Sequence, residues 1–297
     1  MRTVQVFQVD AFTDTPFTGN PAGVVLQAEQ LEVAEMQAIA RELNNGDTAF
    51  VLPPAAEDED LHVRFFTPRK EAPFVGHATL AVHAVLNSRD PRPLRRQGGA
   101  TGVVQVRTAD SGAIAISQPA PPLGRTPSDS EVDDVLGLLD LRREQLDRAC
   151  PPRIAGSAST RLLLGLRDVA ALDAARPHLA SLAALSPRIG AQGYFLFVRT
   201  GTESEAATEA RMFCPALGID EDPVSGNAHA MLGVYLRELG LLPVAQGPAR
   251  FVGRQGRHVG RPGRVDVAIE LAADGRAVAA AISGDAQIVF ATDIRLA

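Results

Sequence analysis

The chain repeats one sequence pattern at offsets of 147 and 150 residues. Arg64–Pro68 (RFFTP) matches Arg211–Pro215 (RMFCP), and Glu71–Ala78 (EAPFVGHA) matches Glu221–Ala228 (EDPVSGNA). A helix-like run of small residues follows the glycine in both copies, as ATLAVHAVL and AHAMLGVYL. Similarity at a nearly constant offset is typical of a duplicated structural unit. The sequence therefore predicts two domains of similar fold, a number that 297 residues allow.

Each copy contains more strand patterns than helix patterns. Asp47–Val51 aligns with Tyr194–Val198 as a buried strand, and alternating segments such as Val4–Val9 indicate further strands. The apolar spacing in Met36–Leu43 predicts one amphipathic helix, and the S-x-x-D pattern at Ser130 predicts the start of another. The chain lacks the regular strand–helix alternation of a doubly wound sheet. We therefore expect an α+β fold.

A proline-rich segment separates the two copies of the repeat. Gln118–Ser128 (QPAPPLGRTPS) contains four prolines and has no helix or strand periodicity. It is the segment in which we expect the chain to pass from the first domain to the second.

Both repeats place a glycine at the start of a helix, and such starts bind anions. The first N–H groups of a helix have no partner within it, and the helix dipole adds about half a positive charge there. An ordinary capped helix explains either start taken alone, but the repetition favours a pair of sites for a small acid. The residues that we expect to bind it are Gly76, Ala78, Ser225, Gly226, Asn227 and Ala228.

Three residues near these helix starts are candidates for acid–base chemistry. His77 follows the first helix-opening glycine, and an imidazole with an ordinary pKa near 6.5 suits proton transfer. Asp222 precedes the second helix start, and Asp47 lies where a loop enters a strand. Each residue also has a structural interpretation. His77 suits a helix cap, Asp222 a turn before proline, and Asp47 an Asx turn.

Composition and missing motifs argue against several classes of function. The net charge of −6 and the absence of Trp argue against a nucleic-acid binder, and two cysteines exclude a Cys-rich zinc module. No apolar run approaches the ~18 residues of a membrane span. Rossmann, P-loop and G-x-S-x-G motifs are absent, and the scattered histidines show no metal spacing, although a site at His229 and Asp222 stays open. The first residues lack a signal-peptide pattern, so we expect a cytoplasmic protein.

Four motifs, in this order, carry a family resemblance over nearly the whole chain: FTGNPAGVVL, PFVGHATLA, MFCPALGIDEDPVSGNAH and QGRHVGRPGRVDV. Together they resemble the PhzF family of phenazine-biosynthesis-like proteins, which are related in fold to diaminopimelate epimerase. The resemblance implies two domains, each a curved sheet or barrel wrapped around a central helix, with the active site in the cleft between them. We expect a first domain of residues 1–118 plus 284–297 and a second of 119–283. The resemblance also implies a homodimer and chemistry without a cofactor.

The family's site residues map onto named positions of this chain. The catalytic glutamate of the family's N-L-S-E-T segment falls on Asp47, its histidine on His77, and its E-D-P aspartate on Asp222. Asn227 replaces the usual small hydroxyl residue, and Asn20 of the first motif is expected to bind substrate. The two cysteines of the epimerase relatives would fall on His77 and Asn227, which disfavours epimerisation by thiols.

These assignments predict an isomerase that moves a proton on a small carboxylate-bearing substrate. The resemblance implies a reaction like that of trans-2,3-dihydro-3-hydroxyanthranilate isomerase. Asp47 would be the base and proton carrier, with Asp222 and His77 orienting the substrate and relaying protons. One alternative is a racemase or epimerase of amino or hydroxy acids. Another is a non-catalytic small-acid-binding or interaction protein that retains the fold, which the short Asp47 and the replacement by Asn227 favour.

Overall fold

The computed structural model of the chain describes residues 2–157, 159–201, 207–242 and 247–296. The strands are Arg2–Ala11 (β1), Asn20–Val25 (β2), Asp47–Leu52 (β3), Leu61–Phe66 (β4), Glu71–Ala72 (β5), Leu94–Gly98 (β6), Val104–Thr108 (β7), Ile114–Pro119 (β8), Arg153–Ala155 (β9), Arg161–Gly165 (β10), Gly193–Arg199 (β11), Ala207–Cys214 (β12), Ile219–Asp222 (β13), Ala249–Gln255 (β14), Gly263–Leu271 (β15), Ala277–Gly284 (β16) and Ala286–Leu296 (β17). The α-helices are Val33–Leu43 (α1), Gly76–Asn87 (α2), Asp129–Leu138 (α3), Val169–Ala174 (α4), Leu179–Ile189 (α5) and Gly226–Glu238 (α6).

The chain divides into two compact units. The first consists of Met1–Ser117 and Ser283–Ala297, and the second of Gln118–Ile282. In the first unit, β1 pairs with β2 in antiparallel orientation, β2 with β3 in parallel, and β3 with β4 in antiparallel. Strand β4 then pairs with β5 in antiparallel and with β6 in parallel orientation, and β6 and β7 form an antiparallel pair. The chain returns at its end, because β17 pairs with β1 over Arg2–Ala11.

The second unit follows the same order of strand pairing. β9 pairs with β10 in antiparallel orientation, β10 with β11 in parallel, and β11 with β12 in antiparallel. β12 then pairs with β13 in antiparallel and with β14 in parallel orientation, and β14 and β15 form an antiparallel pair. The repeat in the sequence therefore corresponds to a repeat of the whole topology, including segments where no residue identity is visible.

One mostly apolar helix lies in the core of each unit. Helix α2 contacts β1, β2, β3 and β17, and it buries most of its residues between Ala78 and Val85. Helix α6 contacts β14 and β15 and buries every residue from Ala228 to Leu236. A helix that is apolar on all sides is stable only when it is enclosed. The strands of each unit enclose the sides of the helix. Its ends therefore remain available for interactions with polar groups.

The two helices predicted from local patterns are present, with one correction. Helix α1 buries Met36, Ile39 and Ala40, as the apolar spacing predicts. Helix α3, however, begins at Asp129 rather than at Ser130. The hydroxyl of Ser128 accepts the N–H of Glu131, and the Glu131 carboxylate accepts the N–H of Ser128. This reciprocal capping box satisfies two otherwise unpaired donors, so Ser128 is the N-cap and the helix begins one residue before Ser130.

The residues that define the sequence repeat form the same ion pair in both units. Arg64 binds both carboxylate oxygens of Glu71 at 2.7 and 2.8 Å, and Arg211 binds those of Glu221 at 3.0 and 2.8 Å. Each guanidinium also lies over the ring of the phenylalanine two residues further along, 5.3 and 4.8 Å from its centroid. The pair joins the two strands of the hairpin that leads into the central helix. It therefore links the two strands directly before each helix.

The two ion pairs differ in burial, and this difference predicts their contributions to stability. The side chains of Arg211 and Glu221 are 8% and 13% exposed, against 28% and 43% for Arg64 and Glu71. We expect Arg211→Met to lower the free energy of unfolding by about 3–5 kcal/mol, because it leaves the Glu221 charge buried without its partner. The matched change Arg64→Met should cost about 1 kcal/mol or less. Urea unfolding of both variants measures the difference, and equal losses would contradict the prediction.

Candidate active site

Two of the predicted catalytic residues lie together in the first unit. Asp47 is the first residue of β3, and His77 is the second residue of α2. Their closest polar atoms, His77 Nε2 and Asp47 Oδ2, are 3.8 Å apart. Both side chains are largely buried, with 11% and 12% of their surfaces exposed. Residues 30 positions apart in the sequence therefore form one acid–base pair at the start of the central helix.

The parallel pairing of β2 with β3 explains why Asp47 faces α2. Asp47 lies opposite Ala22, and Ala22 belongs to the cluster of buried residues that packs around α2. Partners in a sheet share a face, and residues two apart on one strand do so as well. Asn20 therefore lies on the same face as Ala22 and Asp47. It is only 3% exposed and begins β2 directly after the tight turn at Gly19.

Gly19 is required by the shape of that turn. Its φ of +65° is in the left-handed region, and a Cβ added there would lie 2.3 Å from the carbonyl oxygen of Ala11. No side chain fits such an approach. The glycine of the FTGNP motif thus allows the backbone to bend tightly enough to bring Asn20 onto the face that carries Asp47.

The imidazole of His77 is neutral at ordinary pH. Burial lowers its pKa from 6.5 to about 4, because a buried ring loses the hydration that stabilises the charged form. Its Nε2 atom is also buried and has no hydrogen-bond partner among the residues that the structure describes. The separation of 3.8 Å from Asp47 is too long for a hydrogen bond. A buried ring nitrogen without a partner is unfavourable on its own, and a polar group of a molecule bound beside the two residues can satisfy it.

The start of α2 has no side-chain cap. Its N-cap residue is Val75, which offers no acceptor atom, and the first turn contains no acidic residue. The N–H groups of Gly76, His77 and Ala78 thus have neither an intrahelical partner nor a capping side chain. Together with the helix dipole, they form the type of site that binds a carboxylate or phosphate.

The start of α6 is arranged differently. The hydroxyl of its N-cap residue, Ser225, accepts the N–H of Ala228 at 3.3 Å. Gly226 and Asn227 provide the remaining N–H groups of the first turn, and Asn227 is partly buried. Asp222 ends β13 three residues before the cap. In the second unit, Ser225 therefore acts as a helix cap, and a carboxylate lies close to the helix start in sequence.

Sequence reasoning missed one residue next to Asp222. The side-chain amide of Gln255 donates to the backbone carbonyl of Asp222 at 2.6 Å and accepts from the backbone N–H of Ser225 at 3.2 Å. Gln255 is 3% exposed. The only signal in the sequence is its place at the head of the QGRHVG motif, and nothing in that motif indicates the segment that it contacts.

The remaining candidates are structural. Cys150 and Cys214 are both buried, and burial raises the pKa of each thiol to about 12, so neither is a ready nucleophile. The Nδ1–H of His229 donates to the carbonyl of Ser225 at 2.7 Å, and the ring packs edge-on against Phe195. Burial lowers the pKa of His229 to about 4. This histidine belongs to the core of the second unit rather than to a metal site with Asp222.

Within ranges 2–157, 159–201, 207–242 and 247–296, no three His, Cys, Asp or Glu side chains converge as a metal ion would require. Over the same ranges, no helix is long and apolar enough to cross a membrane.

Comparison with known proteins gives a consistent result. The family model described as phenazine biosynthesis-like protein (PhzC-PhzF) matches residues 9–292. An uncharacterised isomerase from Clostridium acetobutylicum is 34% identical, over 100% of this chain and 99% of that protein. The trans-2,3-dihydro-3-hydroxyanthranilate isomerase of Pseudomonas fluorescens is 30% identical over 86% of each chain. These matches confirm the resemblance stated from the motifs.

A solved structure confirms the fold class. The crystal structure of a phenazine biosynthesis protein of the PhzF family from Bacillus anthracis matches with a TM-score of 0.86 and 25% identity, over 100% of both chains. The α+β fold expected from the sequence, similar to that of diaminopimelate epimerase, is therefore correct.

The low pKa of His77 predicts how stability depends on pH. In the unfolded chain histidine titrates near 6.5, and in the folded protein His77 titrates at about 4. Between these values the unfolded state binds more protons, so stability falls as the pH is lowered from about 6.5 to about 4. We expect His77→Gln to reduce this slope by up to about 1.4 kcal/mol per pH unit. Urea unfolding across this pH range measures it.

His178→Gln is the control for the substitution itself, because that side chain is 57% exposed. A direct check is the NMR titration of the His77 ring in the wild type. A midpoint at or above 6.5 would contradict the neutral imidazole.

Proposed function

The chain belongs to the phenazine biosynthesis-like (PhzC-PhzF) family, and we propose that it is an isomerase that moves a proton on a small carboxylate-bearing substrate. The observation that supports this most is the buried pair of Asp47 and His77 beside an uncapped helix start. It combines a carboxylate, a neutral imidazole with an unsatisfied nitrogen, and an anion-binding group of backbone donors. Together these three elements can hold a carboxylate and transfer a proton beside it.

In the proposed reaction Asp47 is the base and the proton carrier. Its carboxylate removes a proton from a substrate carbon, and the electrons of the broken C–H bond move into the adjacent double-bond system. The resulting carboxylic acid then returns the proton to a different carbon of the same molecule. The substrate neither gains nor loses atoms or electrons, so the product is an isomer and Asp47 is regenerated as a carboxylate.

His77 supports this step as a neutral group. With its pKa at about 4, the ring does not carry a positive charge that would form an ion pair with Asp47 and weaken it as a base. A neutral imidazole still offers a ring N–H on one side and an acceptor nitrogen on the other. We assign it to orienting the substrate and relaying protons, and we assign the same roles to Asp222.

The start of α2 binds the substrate carboxylate in this proposal. The N–H groups of Gly76, His77 and Ala78 point out of the helix start, and interaction with a helix dipole contributes up to about 2 kcal/mol in partly buried sites. Anion binding here places the adjacent substrate carbons next to the side chain of His77. It therefore brings them within reach of Asp47, whose carboxylate lies 3.8 Å from that ring.

The aspartate sets a condition on the substrate. The family's usual glutamate is one C–C bond longer, about 1.5 Å, and catalytic geometry tolerates smaller displacements than this. The reacting carbon must therefore lie closer to β3 than in glutamate-containing relatives. We propose that the substrate resembles trans-2,3-dihydro-3-hydroxyanthranilate in having a carboxylate and an acidic C–H bond, but differs in shape.

Neither thiol is suited to the epimerase alternative. Cys150 and Cys214 are the only cysteines of the chain, and both are buried with pKa values raised to about 12. Racemisation by two opposed thiolates requires accessible groups that ionise near neutral pH. Carboxylate-based proton transfer is the chemistry that the residues at the two helix starts support.

Substitution of Asp47 tests the proposed base. Asp47→Asn keeps the shape of the side chain and removes the proton acceptor. We expect it to lower the rate of proton transfer by about 10²–10⁴-fold, as is typical for loss of a general base. Incorporation of solvent deuterium into trans-2,3-dihydro-3-hydroxyanthranilate and into related carboxylates measures the rate. Asp110→Asn, in an exposed turn of the same unit, is the matched control and should leave it unchanged.

The same assay distinguishes the proposed base from its alternatives. If Asp47→Asn exchanges deuterium as fast as the wild type, Asp47 is not the base. If the wild type binds such carboxylates without any exchange, the protein is a small-acid binder that retains the fold.

The reverse change in length tests the condition on the substrate. Asp47→Glu extends the carboxylate by about 1.5 Å. We expect it to increase turnover of trans-2,3-dihydro-3-hydroxyanthranilate and to decrease turnover of the native substrate, because the reacting carbon of the latter lies closer to β3. Steady-state kinetics of the wild type and of Asp47→Glu on both compounds measure this reversal. A decrease on both compounds would show that the substrate pocket is not matched to side-chain length in this way.

A further inference from the structure

The segment that carries Asp222 is held at both ends by one buried side chain. The Nε2 of Gln255 donates to the Asp222 carbonyl at 2.6 Å, and its Oε1 accepts the N–H of Ser225 at 3.2 Å. The segment between these two residues is Pro223-Val224, which leads directly into α6. One amide group thus fixes the end of β13, where Asp222 lies, relative to the first turn of the helix.

The residue after Gln255 packs against the same segment. Gly256 has a φ of +94°, and a Cβ added there would lie 2.7 Å from the Pro223 carbonyl oxygen and 2.2 Å from that of Arg261. Only glycine allows this approach. Gln255 and Gly256, the first two residues of the QGRHVG motif, therefore support one side of the Asp222 segment.

The other residues of the motif anchor this support. His258 Nε2 lies 2.8 Å from Asp173 Oδ1, and Arg257 pairs with both Asp173 and Glu209. Asp173 belongs to α4 and Glu209 to β12. The motif is thus bound to two other elements of the second unit. These contacts limit the movement of Gln255 and Gly256, and so of the Asp222 segment that they contact.

The repeat shows that this support accompanies the carboxylate. In the first unit Leu61 of β4 lies opposite Gln97, and in the second unit its counterpart Thr208 lies opposite Gly253. Two residues after these positions are Gly99, just past the end of β6, and Gln255, the last residue of β14. Ala72 occupies the position that Asp222 has in the second unit, because Ala72 lies opposite Phe65 and Asp222 lies opposite the matching Met212. The unit without the carboxylate therefore also lacks the glutamine.

We propose that Gln255 is a positioning residue for Asp222, which it holds in place through the backbone of the Asp222–Ser225 segment. This inference rests on the proposed function, in which Asp222 acts on the substrate. Gln255 does not touch the substrate in this assignment. Its loss would leave a backbone carbonyl and a backbone N–H without their buried partner, and the segment would move to recover hydrogen bonds. A shift of about 1 Å in a catalytic group is enough to lower a rate by about 10²-fold.

A double-mutant cycle tests whether Gln255 acts through Asp222. Gln255→Met keeps the length of the side chain and removes both hydrogen bonds. On trans-2,3-dihydro-3-hydroxyanthranilate we expect it to lower kcat by roughly 10–100-fold with a smaller change in KM. In the Asp222→Asn background the same change should lower kcat by less than about threefold, because the positioned group is already lost. Gln105→Met, at an exposed position of β7, is the matched control.

The cycle separates positioning from general destabilisation. A purely structural role of Gln255 would lower activity by the same factor in both backgrounds, and this result would overturn the proposal. An unchanged kcat in Gln255→Met would also overturn it. Thermal unfolding of each variant confirms that the compared proteins are folded at the assay temperature.

Hydrogen exchange separates this proposal from the proposed function. We expect the Ser225 amide to exchange at least about 10-fold faster in Gln255→Met than in the wild type, because its acceptor is removed. This measurement by NMR requires no substrate. A wild type that neither turns over the substrate nor incorporates solvent deuterium into it would contradict the proposed function. An unchanged exchange rate of the Ser225 amide proton would contradict the role of Gln255, even in an active enzyme.

Discussion

The burial of one apolar helix in each unit is the constraint on which the rest of the structure depends. Helix α6 buries every residue from Ala228 to Leu236, and α2 is nearly as apolar, so neither helix has a polar face to present to water. Strands must therefore enclose each helix, and the enclosed sides cannot carry charged chemistry. The N-terminal N–H groups remain as polar groups that the helix cannot satisfy itself. The fold thus places an anion-binding group at a defined position, and the candidate acid–base residues are found beside it.

The two units share the interactions that stabilise them and differ in the residues that can perform chemistry. Both have the bidentate Arg–Glu pair that joins the hairpin before the central helix. At the position of Asp47, however, the second unit has Tyr194, a buried residue whose hydroxyl donates to the carbonyl of Leu182. Likewise His77 corresponds to Asn227. The two units share one scaffold, and the differences between them mark the candidate site more clearly than either unit alone.

The sequence predicted what depends on local pattern and on the repeat. The helix at Met36–Leu43, the α+β class and the glycine-led helix starts follow from residue spacing and backbone preference, which act over a few residues. The approach of Asp47 to His77 depends instead on the parallel pairing of β2 with β3, and spacing along the chain does not encode strand register. The support of Asp222 by Gln255 joins residues 33 positions apart through backbone atoms. Such contacts leave no signature in residue type, because any residue offers the same carbonyl and N–H groups.

Because His77 is neutral, the positive potential in the candidate site does not come from its ring. A substrate carboxylate and the Asp47 carboxylate are both negative, and a protonated imidazole between them would attract both. Burial removes that option by lowering the pKa of the ring to about 4. The remaining positive potential comes from the N–H groups at the start of α2, which cannot donate a proton to either carboxylate. In the proposed reaction, a fixed dipole therefore binds the substrate without protonating Asp47, so the carboxylate can accept a proton from carbon and return it.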